Sequence, residues 1–428
     1  MKTIVFFPEG AFGPTNNCVG IGNVLRKRGH RVVFVVEESF AGTLEAQGFE
    51  EARMRLKPAP EVEEEPGQFW KDFIRHTAPH FREDPFDQIE TLTYPIWQEL
   101  VDGARYVEPR LREIFAEIRP DVVVQDNVVG FPAVVSGDFP WVRIVSCNPL
   151  EIADPALPPA LSGLAINDRT NWKRFRQRYA DVHTSLHTEF DAFCRENGAP
   201  ALPGGEFMWE SPYLNIYNYP RELDYPRSHP RASTWHRLDA CVRAGEAEYE
   251  VPGSLGGSGR LIYLSLGSLG SADTGLMQRL IDILGNTRHR YIVSMGPQHE
   301  ELTLAPNMSG AEFLPQTTIL PLVDLVITHG GNNTVTESLH FGKPMVVLPL
   351  FWDQHDNAQR VEETGFGVRL QPYRFEEDGL IGAVERILAD DALRARLDVI
   401  ARRSQAAPGT ERAARLIEGV AAKGLDNA

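Results

Sequence analysis

Cysteine is scarce in this chain. Four stand in 428 residues, at Cys18, Cys147, Cys194 and Cys241, with no CxxC pair and no metal-ligand spacing. A disulfide scaffold is therefore excluded, no metal is expected, and the thiols read as isolated reduced groups of a cytoplasmic protein. Long apolar runs are also missing, and nothing approaches the length that spans a bilayer. The opening MKTIVFFPEG is too short before Pro8 to be a signal core and reads as a first β-strand. Positive charge is in deficit too. The formal net charge is −16, so the chain lacks the basic footprint of a nucleic-acid or anionic-lipid binder. Short-period repeats are absent. What is present is ordinary globular material, 42% hydrophobic and 24% charged, at a length that suits two or three domains.

Two α/β halves follow one another. TIVFF is a strand, then comes a Gly/Pro/Asn loop, then IGNVLRKRG with Ile21, Val24 and Leu25 at helical spacing and a stop at Gly29. RVVFVV returns as a second strand, and such strand–helix–strand units build parallel sheets. PDVVVQDN and PWVRIVS are continuous in β-branched residues, as strands buried on both faces are. An acidic turn spans Pro58 to Pro66, and an aromatic-rich helical region runs from Gln68 to about Ala116, with Phe69, Trp70, Phe73 and Trp97. LNIYNYPRELDYPRSHP is one strand and a proline-rich crossing, the place for a linker. GRLIYLSLGS, YIVSMG, LVITHGG and MVVLPL repeat the strand pattern in the second half. The end, from about Asp378 to Ala422, is helical with a break at Pro408-Gly409. The fold class is α/β with two doubly wound parallel sheets, which bind ligands at the carboxyl ends of their strands.

One stretch concentrates polar chemistry: HGGNNTVTESLHFGKPMVVLPLFWDQHDNAQR, from His329. LVIT ends at Thr328, and the chain turns through His329, Gly330, Gly331, Asn332 and Asn333 into a helix expected over Thr334–Phe341. Glycines let the backbone come close to a ligand. The first amides of a helix lack internal partners and carry the positive end of its dipole, so a phosphate sits well there. His329, Asn333 and Thr334 add side-chain donors, and with no lysine this is not a Walker loop. Structural readings stand beside each point. Thr334 and Glu337 fit a capping box, the glycines fit a tight turn, and Asp353 or Asp356 fits an N-cap. Asp353 and Gln354, after Phe351 and Trp352 at the end of the next strand, otherwise suit a polyol that both gives and accepts hydrogen bonds.

The stretch resembles the donor signature of nucleotide-sugar-dependent glycosyltransferases of the GT-B fold, the UDP-glycosyltransferase and bacterial macrolide glycosyltransferase family. The resemblance also takes in the first strand–loop–helix, the LDYPR region, SLGS and the closing helix. It implies two Rossmann-like domains facing across a cleft. An acceptor-binding domain would span 1–225, and 226–258 would be the linker and first segment of the second domain. A nucleotide-sugar domain would span 259–404, and a helix over 405–428 would pack back on the first domain. It implies that Phe313, with Leu314 and Gln316, stacks on uracil; that Ser268, His329, Gly331, Asn332, Asn333 and Thr334 hold the diphosphate; that Glu337 takes the ribose hydroxyls; and that Trp352, Asp353 and Gln354 hold the sugar. No cofactor is implied beyond the co-substrate, a UDP-sugar (UDP-glucose first, a TDP-sugar second). Trp70, Phe73 and Trp97 suggest an apolar pocket for a small lipophilic acceptor, though core packing explains them as well.

The family's base histidine is missing. Its place in the first loop is taken by Pro14, which transfers no proton, and His30 follows a helix-ending glycine. The carboxylate that would orient that histidine matches Asp126, which becomes the first candidate base, with Glu9 second. An acceptor that is already acidic, or a chain without catalysis that only binds nucleotide sugars, is the alternative. A dinucleotide-dependent oxidoreductase is a further rival, because Gly20 and Gly22 follow a strand and Glu37 closes the next. That partial fingerprint lacks its third glycine.

Overall fold

The apolar runs become the strands of two sheets in the computed structural model, which describes residues 1–10, 12–59, 76–227, 231–255, 259–271 and 273–427. Trp70, Phe73 and most of the acidic turn lie outside the described residues. The first sheet is built from β1 Thr3–Pro8, β2 Arg31–Glu37, β3 Glu50–Met54, β4 Val122–Asp126, β5 Trp141–Val145, β6 Leu214–Asn218 and β7 Trp235–Leu238. The second uses β8 Leu261–Ser265, β9 Arg290–Ser294, β10 Met308–Ala311, β11 Leu325–Thr328, β12 Met345–Val347 and β13 Gly367–Arg369. Their orders are β3-β2-β1-β4-β5-β6-β7 and β10-β9-β8-β11-β12-β13, and every pairing is parallel. Strands β4, β5, β6 and β8 are buried at every residue, which is why their sequences do not alternate.

Both sheets reverse direction of winding once, between β1 and β4 in the first and between β8 and β11 in the second. Open α/β sheets bind ligands in the crevice outside the strand ends at such a switch point.

Two sequence expectations need correction. The segment 226–258 is not only linker: β7 pairs with β6 and completes the first sheet. Its WHRL is short and mixes apolar with charged residues, as an edge strand does, so it carries no buried-strand signal. The Gly/Pro/Asn loop after β1 is helical, because the helix runs Phe12–Lys27 rather than starting near Ile21. Pro14 falls in its first turn, where backbone N–H groups have no intrahelical partner and proline costs little. Gly20 and Gly22 lie inside that helix, as their helical neighbours led one to expect. A Cβ on Gly20 would meet Thr410 Cγ2 at 3.1 Å and Cys241 O at 3.2 Å, and one on Gly22 would meet the Phe49 ring at 3.2 Å. These glycines serve close packing and form no dinucleotide turn.

The last helix, Gly409–Lys423, lies against Phe12–Lys27. Ala413, Ala414, Ile417 and Ala421 share a buried cluster with Cys18, Val19, Ile21 and Leu25. Arg28 bonds Glu418 at 2.7 Å and also pairs with Glu411, and His30 Nε2 contacts Glu418 at 3.0 Å. Among the described residues no helix is long and apolar enough to cross a membrane.

Candidate active site between the two sheets

The two switch points open on one cavity of about 390 Å³. In the first sheet Pro8 pairs with Asp126, so Glu9 leaves β1 beside the end of β4, and its N–H donates to the Asp126 carbonyl at 2.8 Å. In the second sheet Ser265 pairs with Thr328, so the glycine turn after β8 and His329 after β11 sit side by side. The register therefore brings Glu9, Asp126, His329 and the start of the helix Asn332–His340 to one cavity.

On the second-sheet side, that helix begins at Gly331 with no side-chain cap. The capping box does not form: Glu337 lies too far into the helix, and the first-turn amides stay open beside the cavity. Gly330 has φ +91°, and a Cβ there would strike Val347 Cγ1 at 2.7 Å. The His329 ring is confined between two other glycines. A Cβ on Gly267 would lie 2.6 Å from its Cε1, and one on Gly331 2.5 Å from its Nε2. Burial pushes the imidazole down to about 4, so at neutral pH it is an uncharged hydrogen-bonding group. Thr334, Leu314, Gln316, Trp352, Asp353 and Gln354 line the same cavity, and Phe313 stands at it 53% exposed. Ser268 lies in the turn Gly267–Gly270 directly after β8; its side chain lies outside the described residues.

Three of the expected donor residues behave differently from the simple reading. Asn333 Oδ1 accepts from Asn17 Nδ2 at 2.8 Å, and its Nδ2 donates to Gly13 O at 2.8 Å. Asn332 Nδ2 donates to Ser146 O at 2.7 Å and Asn218 O at 3.0 Å. Their side chains thus grip the first domain, and what they leave for an anion is backbone. Glu337 does not line the cavity. It sits behind Arg243, whose Nη1 bonds Oε1 at 2.9 Å, and Gln316, whose Nε2 bonds Oε2 at 2.6 Å. Burial raises the Glu337 carboxyl, and Arg243 and Gln316 oppose the rise.

Asp353 stands at the N-cap position of the helix Gln354–Glu363, but its side chain makes no cap bond. Its Oδ2 accepts the Asn148 N–H at 2.8 Å across the cleft, and burial pushes the carboxyl up to about 7. Asp356 accepts the N–H groups of Leu161 at 2.6 Å and Gly163 at 2.8 Å, fastening a first-domain loop to the second domain. Gln354 Oε1 accepts from Leu350 at 3.0 Å, leaving its amide N–H as the end a ligand would meet. Trp352 has φ +57°, a strained backbone for an aromatic residue and a common mark of functional loops.

On the first-sheet side, Asp126 is 3% exposed and Glu9 is half-buried. Burial pushes both carboxyls up to about 7, for Glu9 with help from the nearby charges of Asp126 and Glu151 and against a hydrogen bond from the Val128 N–H. Asp126 Oδ2 accepts the Ser146 hydroxyl. Pro14 lines the cavity and offers no proton acceptor.

Comparison with known proteins matches this geometry. Residues 232–404 match the family described as UDP-glucoronosyl and UDP-glucosyl transferase. The chain is 26% identical to the demethyllactenocin mycarosyltransferase of Streptomyces fradiae, over 98% of its length and 87% of that protein. It is 26% identical to the NDP-glycosyltransferase YjiC of Bacillus licheniformis, over 97% of each. The crystal structure of the glycotransferase of kitacinnamycin superposes with TM-score 0.72 at 22% identity, covering 98% of this chain and 99% of that one. The family match, the relatives and the shared fold together support a GT-B nucleotide-sugar glycosyltransferase.

A second cavity of about 430 Å³ adjoins the first and shares Val128, Cys147, Glu151, Trp352 and Asp353 with it. Trp97 lines it, stacked on Phe207 with ring centroids 4.4 Å apart and 5.5 Å from Trp352. Trp97 is 7% exposed, so it is at once a core residue and a cavity wall. Sequence reasoning missed Arg243, Asn17 and Ser146. Arg243 comes from the segment read as linker and carries no local signal. Ser146 did have one: it follows β5, the neighbour of β4, so it stands at a strand end beside Asp126.

Proposed function

We propose that this glycosyltransferase moves a hexose, glucose first, from a uridine diphosphate carrier to a small lipophilic or aromatic acceptor, inverting the anomeric carbon. The carrying observation is that a helix without a side-chain cap, with His329 beside it, faces one buried and one half-buried carboxyl, Asp126 and Glu9, across one cavity. The diphosphate lies at the amides of residues 332–334 and at His329. Those donors meet the charge that builds on the leaving group, and a fixed donor of this kind accelerates transfer because it strengthens in the transition state. Asp353 and Gln354 hold the sugar, Phe313 stacks on the base, and the acceptor enters through the aromatic cavity of Trp97 and Phe207. The likeness to a demethyllactenocin mycarosyltransferase supports a natural-product acceptor. Action in the cytoplasm agrees with a nucleotide-sugar donor.

A screen of UDP- and TDP-sugars for slow hydrolysis by mass spectrometry, followed by acceptors with the winning donor, tests the reading. Nuclear magnetic resonance of the product then reads its anomeric configuration. Retention of configuration removes the inverting mechanism. Donor binding with neither transfer nor hydrolysis across a wide panel favours the second reading, a nucleotide-sugar-binding protein without catalysis, which Pro14 at the cavity wall supports.

A further inference from the structure

Pro14 leaves no side-chain proton acceptor where the family resemblance puts one, yet a hydroxyl stands beside Asp126 at the cavity wall. Ser146 stands there, one residue beyond β5, and lines the cavity. Its hydroxyl donates to Asp126 Oδ2, and its Oγ accepts from Asn17 Nδ2 at 2.8 Å. A hydroxyl oxygen has two lone pairs; Asn17 engages one and the other remains for an incoming O–H. Asp126 lines the same cavity but is only 3% exposed, so Ser146 Oγ offers an incoming hydroxyl a second route to its carboxylate.

The serine is also held from the opposite domain. Asn332 Nδ2 bonds the Ser146 carbonyl at 2.7 Å, and Asn333 Oδ1 takes the Asn17 amide at 2.8 Å. The two asparagines of the glycine loop therefore fix the serine and its neighbour only when the domains meet.

We propose that Ser146 is a catalytic residue that relays the acceptor's proton to Asp126, with Asn17, Asn332 and Asn333 as positioning residues. This rests on the glycosyl-transfer reading above. The acceptor O–H proton passes to Ser146 Oγ while the serine's own hydrogen passes to Asp126 Oδ2. The freed electron pair on the acceptor oxygen forms the bond to the anomeric carbon. The bond from that carbon to the diphosphate breaks, and its pair leaves with the nucleotide. Asp126 ends protonated, and the diphosphate carries the negative charge.

The test compares Ser146→Ala and Ser146→Thr with the wild type, using one alcohol and one nitrophenol acceptor from the screen. A nitrophenol ionises near neutral pH and needs little help from a base. Ser146→Ala is expected to lower the alcohol rate about 100-fold or more and the nitrophenol rate far less, so that the alcohol-to-nitrophenol ratio falls at least about tenfold. Ser146→Thr keeps the hydroxyl and restores most of the ratio. The relay is overturned if Ser146→Ala keeps the alcohol rate within about twofold, or if both rates fall by one factor, as lost packing would give. Calorimetry of UDP-glucose and TDP-glucose on the wild type separates the two ideas: binding of neither overturns the glycosyl-transfer reading and the relay with it.

Discussion

The two switch points are the same place in two copies of one strand order, and they are furnished with opposite chemistry. The first carries carboxyls, Glu9 and Asp126, pushed up to about 7. The second carries an imidazole pushed down to about 4. One cause, burial, moves them in opposite directions because burial disfavours whichever form is charged. On the proposed function, the fold fixes where a ligand lies, and the residue after the strand decides which part of the reaction happens there.

The contrast breaks most visibly at Asp126. Asp126→Asn is expected to lower kcat by about 10²–10⁴-fold with donor affinity nearly unchanged by calorimetry. Normal turnover would remove the carboxylate as the proton's destination. Glu9 sharpens the same contrast through stability. Its folded carboxyl is held at about 7 against an ordinary 4.5, so its contribution favours the fold below about pH 4.5 and is lost as pH rises to about 7. Glu9→Gln should therefore match wild type near pH 4.5 and exceed it by about 1–3 kcal/mol at pH 8, read from urea midpoints. Parallel curves across that range would sink the burial argument. On the opposite side, His329→Ala should weaken donor binding about tenfold, the worth of one well-placed hydrogen bond. Wild-type affinity should show no step from this imidazole between pH 6 and 8. Unchanged affinity in the variant would take His329 off the diphosphate.

The two sides also differed in how far the sequence could be read. The second-sheet loops after β11 and β12 are neighbours in both chain and sheet, so His329 through Gln354 arrive as one contiguous pattern. The first-sheet side is assembled from separate elements: Glu9 after β1, Asn17 from the following helix, Asp126 from β4, Ser146 after β5. Each is unremarkable in its own neighbourhood, and only pairing in the sheet brings Asp126 and Ser146 together. Arg243 shows the limit most plainly, since no local pattern tells that a residue beyond β7 reaches Glu337. The strands themselves were legible because burial on both faces demands unbroken apolar runs. The start of the first helix was not, because its opening turn uses Pro14, Asn16 and Asn17, residues that usually mark loops.

Trp352 belongs to both chambers, with an indole wall on each and a left-handed backbone beneath. Replacing that side chain would reshape both chambers in a single stroke. On the proposed function, selectivity toward the carbohydrate and toward its recipient is therefore mechanically geared together, and an engineer who wishes to alter one alone must work elsewhere.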